Sequence, residues 1–374
     1  MRACRNTWAV VLAAGDGTRL STLTTDPAGN AVPKQFCSLD GGRSLLEEAV
    51  LRAGRVVPAE RVYVMVSDQH RRYWARMRWA MRGANVIVQP ANRGTAHGIL
   101  LAVLSILARD PFARILFLPA DHHVRDESAL SGAVRAAVAR VGNEARGLAM
   151  VGIEPDEPDP DLGYIVPGQM LANDTYAVLR FVEKPDFARA RELLCAGALW
   201  NSFIFAADGP SLLGLFRHRM ADSVELMATA RAREDSVRAL RQLYATLSSV
   251  DFSHAVTQGS EQSLSVVAAP FCGWSDLGTP KRVGETLRRL SHVERPSGFV
   301  HPPAFINLAA HGARIGKIAA PGRIGQAVAP FLFGVVIERF GVGLLAVSCA
   351  LSLAAFLALF RHEMSSPGSC AEAM

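Results

Sequence analysis

Hydrophobic residues in this chain fall first into short aliphatic runs separated by longer amphipathic stretches. Runs at 8–14, 62–66, 86–88, 115–118 and 148–153 are rich in Val, Ile and Leu and read as buried strands. Between them, 44–55, 70–82, 94–108 and 127–141 carry apolar side chains at helical spacing. Strands alternating with helices of about 10–15 residues predict βαβ units, hence an α/β fold with a doubly wound, mainly parallel (mixed) sheet and helices on both faces. After residue 153 an acidic, proline-rich loop, EPDEPDPD, precedes predicted strands at 163–166 and 178–182. Helical stretches at 187–197 and 210–247 and a strand at 264–268 follow. From 291 to 303 the chain is rich in Pro, Gly, Ser and His, a linker composition. The expected division is a domain over 1–294, a linker over 295–317 and an apolar helical tail over 318–374.

Composition narrows the class without naming a chemistry. Of 374 residues, 50% are hydrophobic and 20% charged, enough apolar surface for a sizeable core and too much for a disordered chain. The net charge of +6 suits anionic small molecules as well as nucleic acid. Six cysteines without a CxxC pair argue against a disulfide scaffold or zinc ribbon and for a reducing, cytoplasmic setting. The first apolar run is too short for a secretion signal and enters a glycine-rich turn. The stretch 341–360 contains 20 residues without a charge, the length of a spanning helix, whereas 318–337 is interrupted by Arg323 and Gln326. Such a pair could form a membrane hairpin or be a fusion remnant, and the remnant is the preferred reading.

The strongest local feature is VVLAAGDGTRL at 10–20, a buried strand running into Gly15-Asp16-Gly17-Thr18-Arg19. Glycines allow close backbone approach, successive N–H groups form an anion-binding concavity, and an arginine supplies a phosphate fork. Neither the Walker spacing nor the third glycine of a dinucleotide fingerprint is present. With Pro33-Lys34-Gln35-Phe36 downstream, phosphate binding is the better reading. The arginine- and aromatic-rich segment 70–82 suggests nucleic acid, but Tyr73, Trp74, Met77 and Met81 recur at helical spacing, which predicts an inward apolar stripe and no nucleic-acid partner. The mixed charges of 231–241 read as an exposed helix face.

LAAGDGTRL followed by PKQF resembles the signature of sugar-1-phosphate nucleotidyltransferases, particularly the mannose-1-phosphate guanylyltransferase branch. Further matching segments follow in order: Asn92-Arg93-Gly94-Thr95-Ala96, Leu118-Pro119-Ala120-Asp121-His122, Gly163-Tyr164-Ile165 and Val182-Glu183-Lys184-Pro185-Asp186. Leu199-Trp200-Asn201-Ser202, Asp251-Phe252-Ser253-His254-Ala255-Val256 and Gly273-Trp274-Ser275-Asp276-Leu277-Gly278 complete the series. The resemblance spans roughly 8–290 and implies a Rossmann-like fold and a Mg2+-dependent reaction of GTP with a sugar-1-phosphate, mannose-1-phosphate foremost, giving GDP-mannose and pyrophosphate. Alternatives are glucose-1-phosphate with UTP or dTTP, or a catalytically silent, membrane-attached sugar-nucleotide binding protein. A homo-oligomer is left open.

By the same resemblance, Asp121 and Asp276 hold Mg2+, and Arg19 and Lys34 grip the triphosphate. Ala13, Gly15, Gly17, Thr18, Gly94 and Thr95 belong to the nucleotide side. Gly163, Glu183, Lys184 and Asn201 belong to the sugar-phosphate side. Each residue also has a structural rival. Asp121 could cap a turn, Asp276 could be an Asx-turn residue, Glu183 and Lys184 could be a solvated pair, and Asn201 could satisfy buried backbone. His122 and His123 are expected to support the site rather than ligate metal. The chain departs from the family pattern at Ala14, in the inserted segment 26–30, and at His97. Its last segment, 322–360, instead resembles the closing helices of a major facilitator transporter.

Overall fold

A computed structural model of the chain describes residues 6–291, except 22, 27–28, 78–84 and 143–146. The chain divides into two units, Met1–Asn307 and Leu308–Met374. The expected linker and tail, with the transporter-like and membrane-hairpin readings attached to them, lie outside the described residues. Among the described residues no helix is long and apolar enough to cross a membrane.

The first half alternates as β1 (Thr7–Ala13), α1 (Leu45–Gly54), β2 (Val62–Ser67), α2 (Arg71–Trp74), β3 (Asn85–Gln89), α3 (Gly94–Leu107), β4 (Arg114–Pro119), α4 (Glu127–Arg140) and β5 (Leu148–Ile153). The second half runs β6 (Tyr164–Ala172), β7 (Thr175–Val182), α5 (Phe187–Cys195), β8 (Leu199–Asp208), α6 (Gly209–Arg219), α7 (Ala221–Ala232), α8 (Ser236–Thr246), β9 (Leu264–Ala268) and α9 (Pro280–Ser291). Among the described residues nine strands form one sheet in the order β3-β2-β1-β4-β8-β5-β9-β7-β6. The pairs β2–β3, β1–β2, β1–β4 and β5–β9 are parallel; β8 runs antiparallel between β4 and β5, and β7 pairs antiparallel with β6 and β9.

The fold class is therefore as expected, a mixed α/β sheet, with two local corrections. The segment 199–208 is a ten-residue strand that hydrophobic patterning passed over, because Asn201, Ser202 and Asp208 interrupt its apolar run. The helix expected over 70–82 is helical only at Arg71–Trp74 with a 3-10 turn through Met77, and 78–84 fall outside the described residues. Its stripe is directed as expected at Trp74 and Met77, which are buried, with Arg71, Arg72 and Arg76 outside. The stretch 210–247 resolves into α6, α7 and α8.

Helix α1 is fixed by a capping box in which Ser44 and Glu47 exchange side-chain and backbone hydrogen bonds, contributing about 1 kcal/mol. The core beneath α3 is aromatic: Phe117 stacks on Phe205 at 4.7 Å and Phe205 on Phe252 at 5.2 Å. This joins β4 and β8 to the segment after α8.

Strand order places the site. β1 sends its chain to β2 on one side, while β3 returns through α3 to β4 on the other. The crevice between β1 and β4 is thus a topological switch point, where open α/β sheets bind ligands at the carboxyl ends of their strands. The parallel register aligns Ala13 with Val66 and Leu12 with Pro119, so the glycine turn and Asp121 emerge side by side.

Candidate active site

A cavity of about 430 Å3 opens at that crevice. Gly15, Gly17 and Arg19 line it from the glycine turn, Gly94 and Thr95 from the start of α3, and Asp121 from the end of β4. Gly163, Glu183, Lys184, Asn201 and Asp276 complete the side contributed by later elements. Ala13 is buried at the end of β1 and Thr18 opens the 3-10 turn 18–20; Ala13 and Lys34 do not line the cavity.

The two expected metal carboxylates are brought together by backbone. His123 and Ser275 form an antiparallel bridge with reciprocal N–H to C=O bonds of 2.9 Å, setting the turn that carries Asp276 beside the end of β4. Lys34 then stitches the two from beneath. Its buried ammonium lies 3.1 Å from Asp121 Oδ2 and donates to the carbonyls of Asp276 at 2.6 Å and Leu277 at 3.3 Å. All three N–H donors of an ammonium are used by these contacts, so Lys34 holds the site's floor rather than presenting free donors to the cavity. Burial alone would raise the Asp121 carboxyl, but the Lys34 ammonium and His122 hold it below the ordinary value.

Asp276 is not held as an Asx turn. Its neighbour Ser275 provides the local cap, with Leu277 N–H donating to Ser275 Oγ at 3.2 Å. The Asp276 carboxylate instead accepts from Arg282 Nη1 at 2.8 Å. His122 sits edge-on to Trp274 at 5.2 Å, with Nε2 3.7 Å from Asp121 Oδ1, and burial pushes its pKa down to about 4. The imidazole is therefore neutral at pH 7. Among the described residues no group of three or more His, Cys, Asp or Glu side chains converges as a closed metal site. Two carboxylates on an open cavity suit Mg2+, which takes one or two carboxylates and fills its shell with water and phosphate oxygens.

The glycine turn is braced from both sides. Gln35 Nε2 donates to the carbonyls of Ala13 at 3.0 Å and Gly15 at 2.8 Å, while Asn92 Nδ2 donates to Asp16 Oδ2 at 3.0 Å. Gly17 adopts φ +62°, a conformation that favours glycine. Arg19 is exposed and reaches across the mouth to Asp161 at 3.5 Å. Gly94 opens α3 at φ +79° with the backbone of Val250 packed where a Cβ would lie. Thr95 Oγ1 donates to Asp251 Oδ2 at 3.2 Å and accepts from Phe252 N–H at 2.8 Å.

At the opposite end Glu183 is mostly buried, with Lys184 3.6 Å away and half-exposed. Burial, then the facing charge of Asp251, raises the Glu183 carboxyl above its ordinary value. Among the described residues its Oε2 is buried without a hydrogen-bond partner, and it lies where a Cβ on Gly163 would stand. Asn201 N–H donates to the Gly163 carbonyl at 2.8 Å, and Asn201 Oδ1 accepts from Phe203 N–H at 3.0 Å. Phe203 at φ +57° lies where β8 slips register against β5, a bulge that brings it to the cavity wall, its ring edge-on to Phe205 and Phe252. Gln35, Asp161, Phe203, Asp251 and Arg282 were not singled out from sequence. Of these, Gln35 and Asp251 stand inside the motifs quoted for the resemblance, and Arg282 lies four residues beyond the last of them.

The nucleotidyl transferase family model matches residues 8–291. The chain belongs to the nucleotidyl transferase family. Among curated relatives it is 32% identical over 315 residues to the xanthan biosynthesis protein XanB of Xanthomonas campestris, covering 82% of this chain and 65% of that protein. It is likewise 32% identical over 281 residues to the mannose-1-phosphate guanylyltransferase RfbM of Salmonella typhimurium, covering 72% of this chain and 56% of that one. The chain thus spans less than two thirds of the length of these relatives. Among solved structures, that of a mannose-1-phosphate geranyltransferase from Thermus thermophilus superposes with a TM-score of 0.65 at 28% identity, over 77% of this chain and 80% of that one. Every motif segment quoted for the resemblance lies inside the matched 8–291.

Proposed function

We propose that this nucleotidyltransferase joins mannose-1-phosphate to GTP, releasing pyrophosphate and forming GDP-mannose, in the cytoplasm and with Mg2+. The observation that carries the reading is the convergence of Asp121, Asp276 and Lys34 at the glycine turn of a cavity whose far end holds Glu183 and Asn201. Relatives bearing the guanylyltransferase name support the choice of sugar and base.

In this reaction a sugar-phosphate oxygen forms a bond to the α-phosphorus of GTP while the bond from that phosphorus to the bridging oxygen breaks, its electron pair leaving on pyrophosphate. The nucleophile is already ionised, so catalysis is positioning and charge neutralisation. Bound at Asp121 and Asp276, Mg2+ would neutralise phosphate charge. Arg19 would leave Asp161, a solvent-exposed and therefore weak partner, for the triphosphate. Lys34 compensates the Asp121 charge and keeps the Asp276 turn in place, reaching phosphate only by releasing one of those bonds. The Gly15–Gly17 turn, with Ala13 and Thr18 at its ends, and the Gly94–Thr95 turn would receive the nucleotide through backbone N–H groups. Gly163 lets backbone approach the sugar, Glu183 and Asn201 address its hydroxyls, and Lys184 meets its phosphate.

Pyrophosphate release measured across a grid of sugar-1-phosphates and nucleoside triphosphates, with and without Mg2+, tests the reading. Expected is release with mannose-1-phosphate and GTP only when Mg2+ is present, and its loss in Asp121→Ala. A preference for glucose-1-phosphate with UTP or dTTP would overturn the sugar and base. No release from any pair, or full turnover in Asp121→Ala, would overturn the reaction.

A further inference from the structure

Apart from Asp161, the acidic loop 154–161 and the start of α9 are not used by the mechanism above, yet they meet behind the site. Arg282, in the first turn of α9, is buried. It reaches three elements at once. Nη1 donates to Asp276 Oδ1 at 2.8 Å, Nη2 makes an ion pair with Asp159 Oδ2 at 2.7 Å, and the guanidinium lies over the Trp200 ring, 4.6 Å from its centroid. Asp159 is itself fixed, its N–H donating to Tyr164 Oη at 2.8 Å and its Oδ1 accepting from Asp161 N–H at 2.7 Å. Asp161 is the residue that holds Arg19. The neighbouring Lys281 ties the same loop through Glu157 at 2.8 Å.

We infer that Arg282 is a positioning residue that presets the second carboxylate of the site, Asp276, and anchors the acidic loop from which Asp161 reaches Arg19. The inference rests on the proposed role of Asp276. One guanidinium serves both acids, hydrogen-bonding Asp276 through Nη1 and ion-pairing with Asp159 through Nη2, and its face packs on Trp200, next to Asn201. A lysine is a compact charge on a flexible stem and cannot serve both acids in that geometry. Without the fork, the Asp276 carboxylate loses its orienting partner, and partners behind a metal-binding carboxylate govern cation affinity.

The test is binding of Tb3+ to the full-length protein, read as emission excited through Trp274, which lines the cavity, and displaced by excess Mg2+. Arg282→Met should weaken Tb3+ binding by about tenfold or more, with Arg282→Lys recovering part of the loss. Asp159→Asn spares the Asp276 arm; its Tb3+ affinity should stay near the parent value while its KM for GTP rises. A folded Arg282→Met protein with parental Tb3+ affinity would overturn the inference, as would an Asp159→Asn protein weakened equally. If Arg282→Met does not fold, Arg282→Lys must bind Tb3+ more weakly than Asp159→Asn, and the reverse order refutes the assignment. A parent protein that binds no Mg2+-displaceable Tb3+ overturns it too. A parent that binds Tb3+ but releases no pyrophosphate from any substrate pair removes the proposed reaction and leaves the Arg282 result to stand or fall alone.

Discussion

Replacing Gly163 by alanine should damage sugar-phosphate binding while leaving the fold and the nucleotide side intact. A Cβ at this position would stand 2.6 Å from Glu183 Oε2, about 0.8 Å inside the 3.4 Å at which ordinary contact begins; its other neighbours, Asn201 Cβ and Phe181 Cζ, are at 3.4 Å. Only the carboxylate has to move. Gly163 has no positive φ, so alanine brings no backbone strain there, and the smaller entropy of the unfolded chain offsets part of an overpacking cost of about 1 kcal/mol. A displaced carboxylate loses a charge-assisted hydrogen bond to a sugar hydroxyl, about 1.5–3 kcal/mol. At 1.4 kcal/mol per decade this is a rise of about 10- to 100-fold in the KM for mannose-1-phosphate. Steady-state pyrophosphate release, varying each substrate with the other saturating, reads the effect. The KM for GTP should stay within about twofold. Equal rises in both constants, or no change in either, would refute the placement of Glu183 against the sugar.

At the other end of the cavity, Gly94→Ala should destabilise the protein by about 2 kcal/mol or more, since its φ of +79° and the Val250 backbone both exclude a Cβ; the midpoint of urea unfolding measures this, and an unshifted midpoint contradicts it. Chelation should abolish pyrophosphate release, reversibly on adding Mg2+, without lowering the melting temperature. Asp121 and Asp276 already have Lys34 and Arg282 as partners, so folding does not depend on the cation. Burial, and after it Asp251, raises the Glu183 carboxyl, so the native state binds this proton more tightly than the unfolded state. That contribution to stability is present below the unfolded value and is lost as pH rises through the raised one. The carboxylate form is the one that accepts from sugar hydroxyls, so the KM for the sugar phosphate should climb as pH falls through the same window, and climb at lower pH in Asp251→Asn. A profile identical in parent and variant would remove Asp251 from the account.

Much of the fold was legible because β1, β2, β4 and β5 are continuous aliphatic runs, the pattern of strands covered on both faces. β8 was not, since its polar residues have partners that patterning does not reveal: Ser202 donates to the Val151 carbonyl at 2.6 Å, and Asn201 serves the Phe203 backbone. In the site, residues in a glycine turn or closing a strand announced themselves by position. Partnerships did not. Lys34 and Asp276 are 242 positions apart and Arg52 and Glu127, the buried pair joining α1 to α4, are 75 apart. In both cases only the folded sheet shows which charge answers which.

The same pairings explain how two acids can face one cavity. Two bare carboxylates at one cavity would repel each other. Lys34 and Arg282 contact one carboxylate each, from beneath and from behind, which offsets that repulsion and leaves both acids lining the cavity. Arg19, on the lip, pairs among the described residues with exposed Asp161 alone, a contact that costs little to break. The buried cations thus set the acids in place, and the exposed one is left to exchange partners. If that division is right, Arg19→Ala should act mainly on turnover and the KM for GTP, whereas Arg282→Met acts on cation binding. A variant pair with the effects interchanged would show that burial does not govern which cation moves.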